Sequence, residues 1–216
     1  MSERPEDERG PAGEEAEHLV LAPGVEALIR PIRPDDKPLL ARGFGELSPD
    51  ARFQRFFTPI TELTPADLRY LTEIDHHDHE ALVAIDPDEG DLVAVARYIR
   101  TDPPDEAEVA IVVAEGWRGK GLGSAILRRL AVRARQAGIR RFIAITLSSN
   151  AEANELFEGL IPDHAEVRHG YPGQNEIRIS LPRSPEFAGT GLARALRAAA
   201  RGGLRFVPRR RPRNKT

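Results

Sequence analysis

Two features of the sequence carry residue types that could do chemistry. The first is Arg118-Gly119-Lys120-Gly121-Leu122-Gly123-Ser124, in which three glycines alternate with larger residues. Glycine permits close backbone approach. A glycine loop that opens a helix also presents unpaired N–H groups at the positive end of the helix dipole, which suits a phosphate or pyrophosphate. The P-loop pattern needs Ser or Thr after its lysine, but Lys120 is followed by Gly121. The dinucleotide pattern G-x-G-x-x-G, started at Gly119 or Gly121, meets Ser124 or Ile126 where its third glycine belongs. The spacing present is Arg-x-x-Gly-x-Gly, at Arg118, Gly121 and Gly123. The second feature is Glu108, the one ionisable side chain in the apolar run Ala107 to Val113. A carboxylate there is costly unless its face opens into a cleft, where it could accept a proton.

Both features lie on elements that the residue pattern defines. Ala107 to Val113 is rich in β-branched residues and short, so it reads as a strand, with Glu108, Ala110 and Val112 on one face. After the glycines, Leu127, Leu130, Ala131 and Ala134 recur at helical spacing, while Arg128, Arg129, Arg133 and Arg135 take the other positions. Gly138 suits a left-handed stop to that helix. The order is strand, glycine loop, helix. Arg141 to Leu147 reads as the next strand, and Asn150-Ala-Glu-Ala153-Asn-Glu-Leu156-Phe157 as a helix after it.

With this context the glycine loop resembles the acyl-CoA-binding motif of the GNAT superfamily of N-acetyltransferases, and Asn150 to Phe157 resembles that family's Asn-x-x-Ala-x-x-Leu-Tyr helix. The resemblance covers about residues 25 to 182. It implies an α+β fold with a mixed, mostly antiparallel central sheet flanked by helices. It also implies acetyl-CoA as co-substrate, with the pyrophosphate on the amides of Arg118, Gly119, Lys120, Gly121, Leu122, Gly123 and Ser124, and with Asn150 contributing. The coenzyme is expected between two splayed parallel strands, Ala107 to Val113 and Arg141 to Leu147. The amides of Val112 and Val113 would pair with its pantetheine arm as an added strand does.

Attack on a thioester by a primary amine needs the free base, yet a lysine amine of pKa about 10.4 is almost wholly protonated at neutral pH. Glu108 sits where the protein-acetylating branch of the family carries its general base, in an Ala-Glu-hydrophobic strand, and partial burial in a cleft is expected of it. The family's frequent tyrosine, which protonates the leaving thiolate, falls on Phe157, which has no proton to give. Tyr171 or water could replace it. Arg52-Phe53-Gln54-Arg55-Phe56-Phe57, with Leu63-Thr64, Leu68-Arg69-Tyr70-Leu71-Thr72, Asp75 and Ala81 to Ala84, resembles the catalytic domain of bacterial protein lysine acetyltransferases, so the expected acceptor is a protein lysine. Asp75, His77 and Asp78 are expected at the rim of the acceptor cleft. The alternatives are a small-molecule amine acceptor and a non-catalytic acyl-CoA-binding or sensing domain.

Composition bounds these readings. The 216 residues suit one domain with tails, and an apolar fraction of 40% can form a core. Net charge is −3, so no global field favours nucleic acid, and no nucleic-acid partner is expected. The absence of cysteine excludes disulfides, thiolate nucleophiles and Cys-based zinc sites. No signal peptide or membrane span is legible, so a cytoplasmic location is expected. The ends differ in sign: residues 1–24 read as an acidic tail outside the core, and residues 183–216 as a basic tail, part of it at helical spacing, that could touch an anionic surface. Within the domain, Val25 to Ile32 reads as the first strand. Helices are expected at Lys37 to Phe44, capped by Asp35 or Asp36, and after the caps Ser48-Pro49 and Thr64-Pro65. Ala81 to Ile85 and Leu92 to Ile99 read as a hairpin, and Ala165 to Tyr171 and Asn175 to Leu181 as the last strands. His76, His77, Asp78, His79 and Glu80 are metal-capable types in a row, but successive residues on an extended chain point to opposite faces. No metal site is expected.

Overall fold

A computed structural model describes residues 16–161 and 163–182. The acidic residues 1–15 and the basic stretch from 183 onward lie outside the described residues. The elements are β1 (Glu17–Ala22), β2 (Val25–Pro31), α1 (Lys37–Glu46), α2 (Pro49–Phe56), α3 (Pro65–Thr72), β3 (His79–Ile85), β4 (Leu92–Arg100), β5 (Glu106–Val113), α4 (Leu122–Gln136), β6 (Arg141–Leu147), α5 (Ala151–Glu158), β7 (Ala165–His169) and β8 (Gln174–Ser180). They form one sheet in the order β1-β2-β3-β4-β5-β6-β8-β7. Every described pairing is antiparallel except β5 with β6, which the crossover through α4 makes parallel. The expected α+β architecture is the one observed.

The sheet begins earlier than the residue pattern suggested. Glu17–Ala22 pairs with β2, although residues 1–24 read as a tail. Its side chains are largely exposed, Val20 at 59%, so no buried alternation marks it in the sequence. What holds it is the ladder to β2 and an ion pair from Arg129 of α4 to Glu17, with Nε at 2.6 Å. An edge strand needs only one paired side and no buried face.

The helix starts follow their cap residues. Ser48 accepts from the Ala51 amide, with Pro49 at the first helical position. Thr64 and Asp67 form a reciprocal capping box ahead of α3. Asp36 is the N-cap residue of α1 but does not cap it with its side chain. Its carboxylate instead takes both guanidinium nitrogens of Arg30 at 2.7 Å and the Arg33 amide at 2.8 Å, tying β2 to the start of α1.

Side-chain alternation divides the core. One face of the sheet packs Ile32, Leu40, Ala81 and Val83 against Leu63, Leu68, Leu71 and Val95, beneath α1–α3. The other face receives the buried side of α4, made by Leu122, Ile126, Leu127, Leu130, Ala131 and Ala134. Glu80, 1% exposed, bridges β3 to that helix through Arg133 Nε at 2.5 Å and also meets His76 Nδ1 at 2.8 Å. Burial pushes the Glu80 carboxyl up, but the hydrogen bonds from His76 and Arg133 outweigh it and hold the group below its ordinary value. Among the described residues no helix is long and apolar enough to cross a membrane.

Candidate active site

The site grows from the point where β5 and β6 part. They pair from Glu106↔Arg141 to Glu108↔Ile143 and no further. Beyond that register β5 continues to Val113 along β4 alone, and a cleft of about 470 Å³ opens beside it. One wall is β5 from Glu108 to Val113; another is Ala51, Gln54, Arg55 and Phe57 around α2; the far end is the glycine loop with the start of α5.

Register decides which backbone groups face this gap. The Glu106 carbonyl accepts from the Thr101 amide, and the Ala114 amide donates to Val93. With an unbroken antiparallel register between them, Glu108, Ala110 and Val112 also spend their backbone groups on β4. Ile111 and Val113 therefore face the cleft. The Val113 amide lies where the sequence reading put it, whereas the Val112 amide is committed to Val95, and Ile111 takes its place. The Val113 carbonyl accepts from Arg118 Nε at 3.3 Å.

The glycine loop builds the end of the cleft. Gly119 and Gly121 have φ of +70° and +87°, a left-handed backbone that favours glycine, and nothing crowds the position of an added Cβ. Gly121 is the N-cap of α4 and lends no side-chain cap, while its carbonyl accepts the first helical bond from Ala125. The amides of Leu122, Gly123 and Ser124 thus precede the first intrahelical donor and crown the helix dipole. Gly123 has a different reason to be glycine: an added Cβ would lie 3.2 Å from Leu156 Cδ2, where α5 packs on α4. Leu122 buries its side chain completely, so only its backbone can serve a ligand. Lys120 sits over the Trp117 ring at 5.3 Å and is not part of the cleft wall.

Asn150 reaches the cleft as the N-cap of α5, accepting from the Ala153 amide at 3.1 Å. Asn154, which the sequence reading passed over, is buried and joins three elements. It accepts from Thr146 Oγ1 at 2.6 Å and from Asn175 at 3.2 Å, and donates to the Leu147 carbonyl at 3.2 Å. Phe157 is 3% exposed and closes the cleft where a tyrosine was looked for. Tyr171, the other candidate proton donor, is 82% exposed on the β7–β8 turn and does not line the cleft.

Glu108 lies at the opposite end from the loop, on the face of β5 covered by α1–α3. It is exposed rather than partly buried as expected, because it looks into open cleft instead of packed side chains. Across from it stands Arg55 of α2, also a cleft residue. Behind Arg55 is Arg97 of β4, 5% exposed, which donates to His79 Nε2 at 2.9 Å and to the Leu71 carbonyl at 3.2 Å. Burial, then the neighbouring Arg55, draws the Arg97 guanidinium down to about 10; burial, then Arg97, draws His79 down to about 4. His79 is thus a neutral acceptor. Asp75 and Asp78 are structural: Asp75 accepts the amides of His77, Asp78 and His79, each at 2.9 Å, and Asp78 binds Arg100 Nε at 2.6 Å and His77 Nδ1 at 2.7 Å. None of Asp75, His77 and Asp78 lines the cleft, so the expected acidic rim is spent on the turn into β3. Among the described residues no three His, Asp or Glu side chains are grouped to hold a metal.

The cleft thus joins a splayed parallel pair, an uncapped helix start at one end and a carboxylate at the other. Residues 48–160 match the Acetyltransferase (GNAT) family, and the chain belongs to that family. It is an N-acetyltransferase with acetyl-CoA as co-substrate. The chain is 32% identical over 149 residues to Acetyltransferase PA5475 of Pseudomonas aeruginosa, covering 67% of this chain and 80% of that one. It is 32% identical over 133 residues to Acetyltransferase Pat of Mycolicibacterium smegmatis, covering 61% of this chain but 40% of that longer protein. Among solved structures, the GNAT domain of S. lividans PAT superposes with a TM-score of 0.70 at 31% identity, over 77% of this chain and 97% of that one. YncA of Salmonella typhimurium, solved with acetyl-CoA, shares the fold at 19% identity with a TM-score of 0.58, over 76% of this chain and 96% of that one.

Proposed function

We propose that the chain transfers the acetyl group of acetyl-CoA to the ε-amine of a lysine in another protein. The observation that carries this is the cleft's polarity: bare helix amides at one end for the pyrophosphate, and Glu108 at the other for the amine. The amides of Gly121, Leu122, Gly123 and Ser124, reached through Arg118 and Gly119, hold the pyrophosphate. The backbone of Ile111 and Val113 pairs with the pantetheine arm as an added strand. Glu108 accepts a proton from the acceptor, the amine nitrogen bonds to the acetyl carbonyl carbon, and the carbon–sulfur bond breaks. The thiol, whose ordinary pKa is about 8.5, can leave as thiolate and take its proton from water, so Phe157 does not block the step.

A protein lysine is favoured over a small amine by the helical wall around Arg52-Phe53-Gln54-Arg55-Phe56-Phe57, which resembles the catalytic domain of bacterial protein lysine acetyltransferases, and by the similarity to Pat and to S. lividans PAT. The test is mass spectrometry of a cell extract incubated with the protein and heavy-labelled acetyl-CoA. Heavy acetyl on protein lysines is expected. Label confined to polyamines, amino acids or aminoglycosides would overturn the acceptor assignment.

A further inference from the structure

We infer that Arg55 is a positioning residue of the transfer step, one whose fixed positive charge lowers the proton affinity of the acceptor amine opposite Glu108. The inference rests on acetyl transfer to an amine, as proposed above. Arg55 projects from α2 into the cleft, and it also lines the apolar hollow of Leu40, Phe44, Phe56, Leu71 and Val95 beneath the helices. Among the described residues its guanidinium makes no hydrogen bond and no ion pair; it lies over the Phe56 ring, 5.0 Å from the centroid. Glu108 is the carboxylate whose charge it feels, yet the two do not form an ion pair. Arg55 is half-buried, and its guanidinium keeps contact with solvent on the cleft side, so its charge faces the cleft with no fixed counter-ion.

The charges around it do not cancel this cation. Arg97, behind it on β4, adds a second positive charge, and His79 on β3 is held neutral. At the coenzyme end Arg118 faces Glu152, and Glu155 stands on the same helix. The hollow under the helices also carries the exposed Glu46 and Glu115, but the carboxylate whose charge reaches Arg55 is Glu108, and Arg97 behind it adds positive charge.

An incoming lysine arrives as an ammonium. Paired with ionised Glu108 it forms a neutral ion pair, in which the nitrogen has no lone pair to attack with. The reactive arrangement is a neutral amine beside an ionised carboxylate, one positive charge fewer. A fixed cation favours the arrangement with less positive charge, the device by which lysine amines near other cations become nucleophilic. Here the cation is on the enzyme and the amine on the substrate. Glu108 then needs to accept only the proton shed as the carbon–nitrogen bond forms.

The test compares Arg55→Met and Arg55→Lys with the unaltered chain on two acceptors: a lysine peptide, and the same peptide carrying 5,5-difluorolysine, whose amine is several units less basic. Arg55→Met should move the pH at which kcat for the lysine peptide reaches half its maximum upward by about one unit, because kcat reports the ionisation of the bound amine. That is a roughly tenfold loss at pH 7, since a one-unit shift is tenfold below the midpoint. The difluorolysine peptide should react at nearly the original rate with the same Arg55→Met preparation, which shows that the protein is folded. Arg55→Lys, keeping the charge, should restore most of the lysine rate. Equal losses on both peptides, or an unmoved pH profile, would overturn the role of Arg55. No transfer to either peptide by the unaltered chain would overturn the lysine reading itself.

Discussion

Gly121 and Gly123 stand two residues apart in the loop, and the structure gives them different reasons. Gly121 needs a left-handed backbone, which costs a side-chain-bearing residue about 1–2 kcal/mol; Gly123 needs room for Leu156. Valine at either position should weaken acetyl-CoA binding in calorimetry. Alanine separates them: Gly121→Ala should lose affinity through the loop conformation, whereas Gly123→Ala should lose thermal stability at the α4–α5 contact. Equal effects on both quantities would contradict the distinction. His79 provides a pH test. Its folded pKa is drawn down to about 4 from the ordinary 6.5, so the unfolded chain binds the proton first as pH falls. The stability linked to neutral His79 is fully present above pH 6.5 and is lost as pH falls towards 4. Melting temperature should decline across that window, and His79→Gln should flatten the decline. A slope unchanged by the substitution would show that other groups cause it.

At the scale of elements, helix starts were legible because cap chemistry is local: Ser48-Pro49 and Thr64-Pro65-Ala66-Asp67 name their own first turns. Thr64→Ala should destabilise the fold by about 1 kcal/mol in denaturant unfolding, the usual value of such a cap, and no change would mean that α3 is held by packing alone. The β5–loop–α4–β6 crossover was legible for the same reason, since glycine spacing and a change of period from two to 3.6 mark it. Three things were not. β1 has no buried face to leave a pattern. Asp36 sits where a cap belongs, but Arg30, six residues back, claims its carboxylate once the strand is in place. Whether Val112 or Ile111 faces the cleft depends on which residues β4 has already paired, a property of the sheet. Arg55 belongs with these: in sequence it is one more polar residue among phenylalanines, and its isolation exists only after α2 has packed over β5.

For the molecule as a whole, the last sheet strand ends at Ser180 and the buried Leu181 donates its amide to Arg140, so the described core closes there. A chain ending at Pro182 should keep its melting temperature and its turnover; a collapse of either would mean that the basic stretch belongs to the working enzyme. The proposed transfer divides its labour along one cleft, with coenzyme held by backbone at the helix start and the proton handled by Glu108 at the far end. Glu108→Gln tests that division directly, by measuring acetyl-CoA affinity by calorimetry and turnover of a lysine acceptor across pH in one preparation. Affinity should be unchanged while turnover falls by the roughly 10²–10⁴-fold that a general base contributes, with the acidic limb of the pH profile lost. Turnover equal to that of the unaltered chain at pH 7, with affinity intact, would contradict the assignment of Glu108.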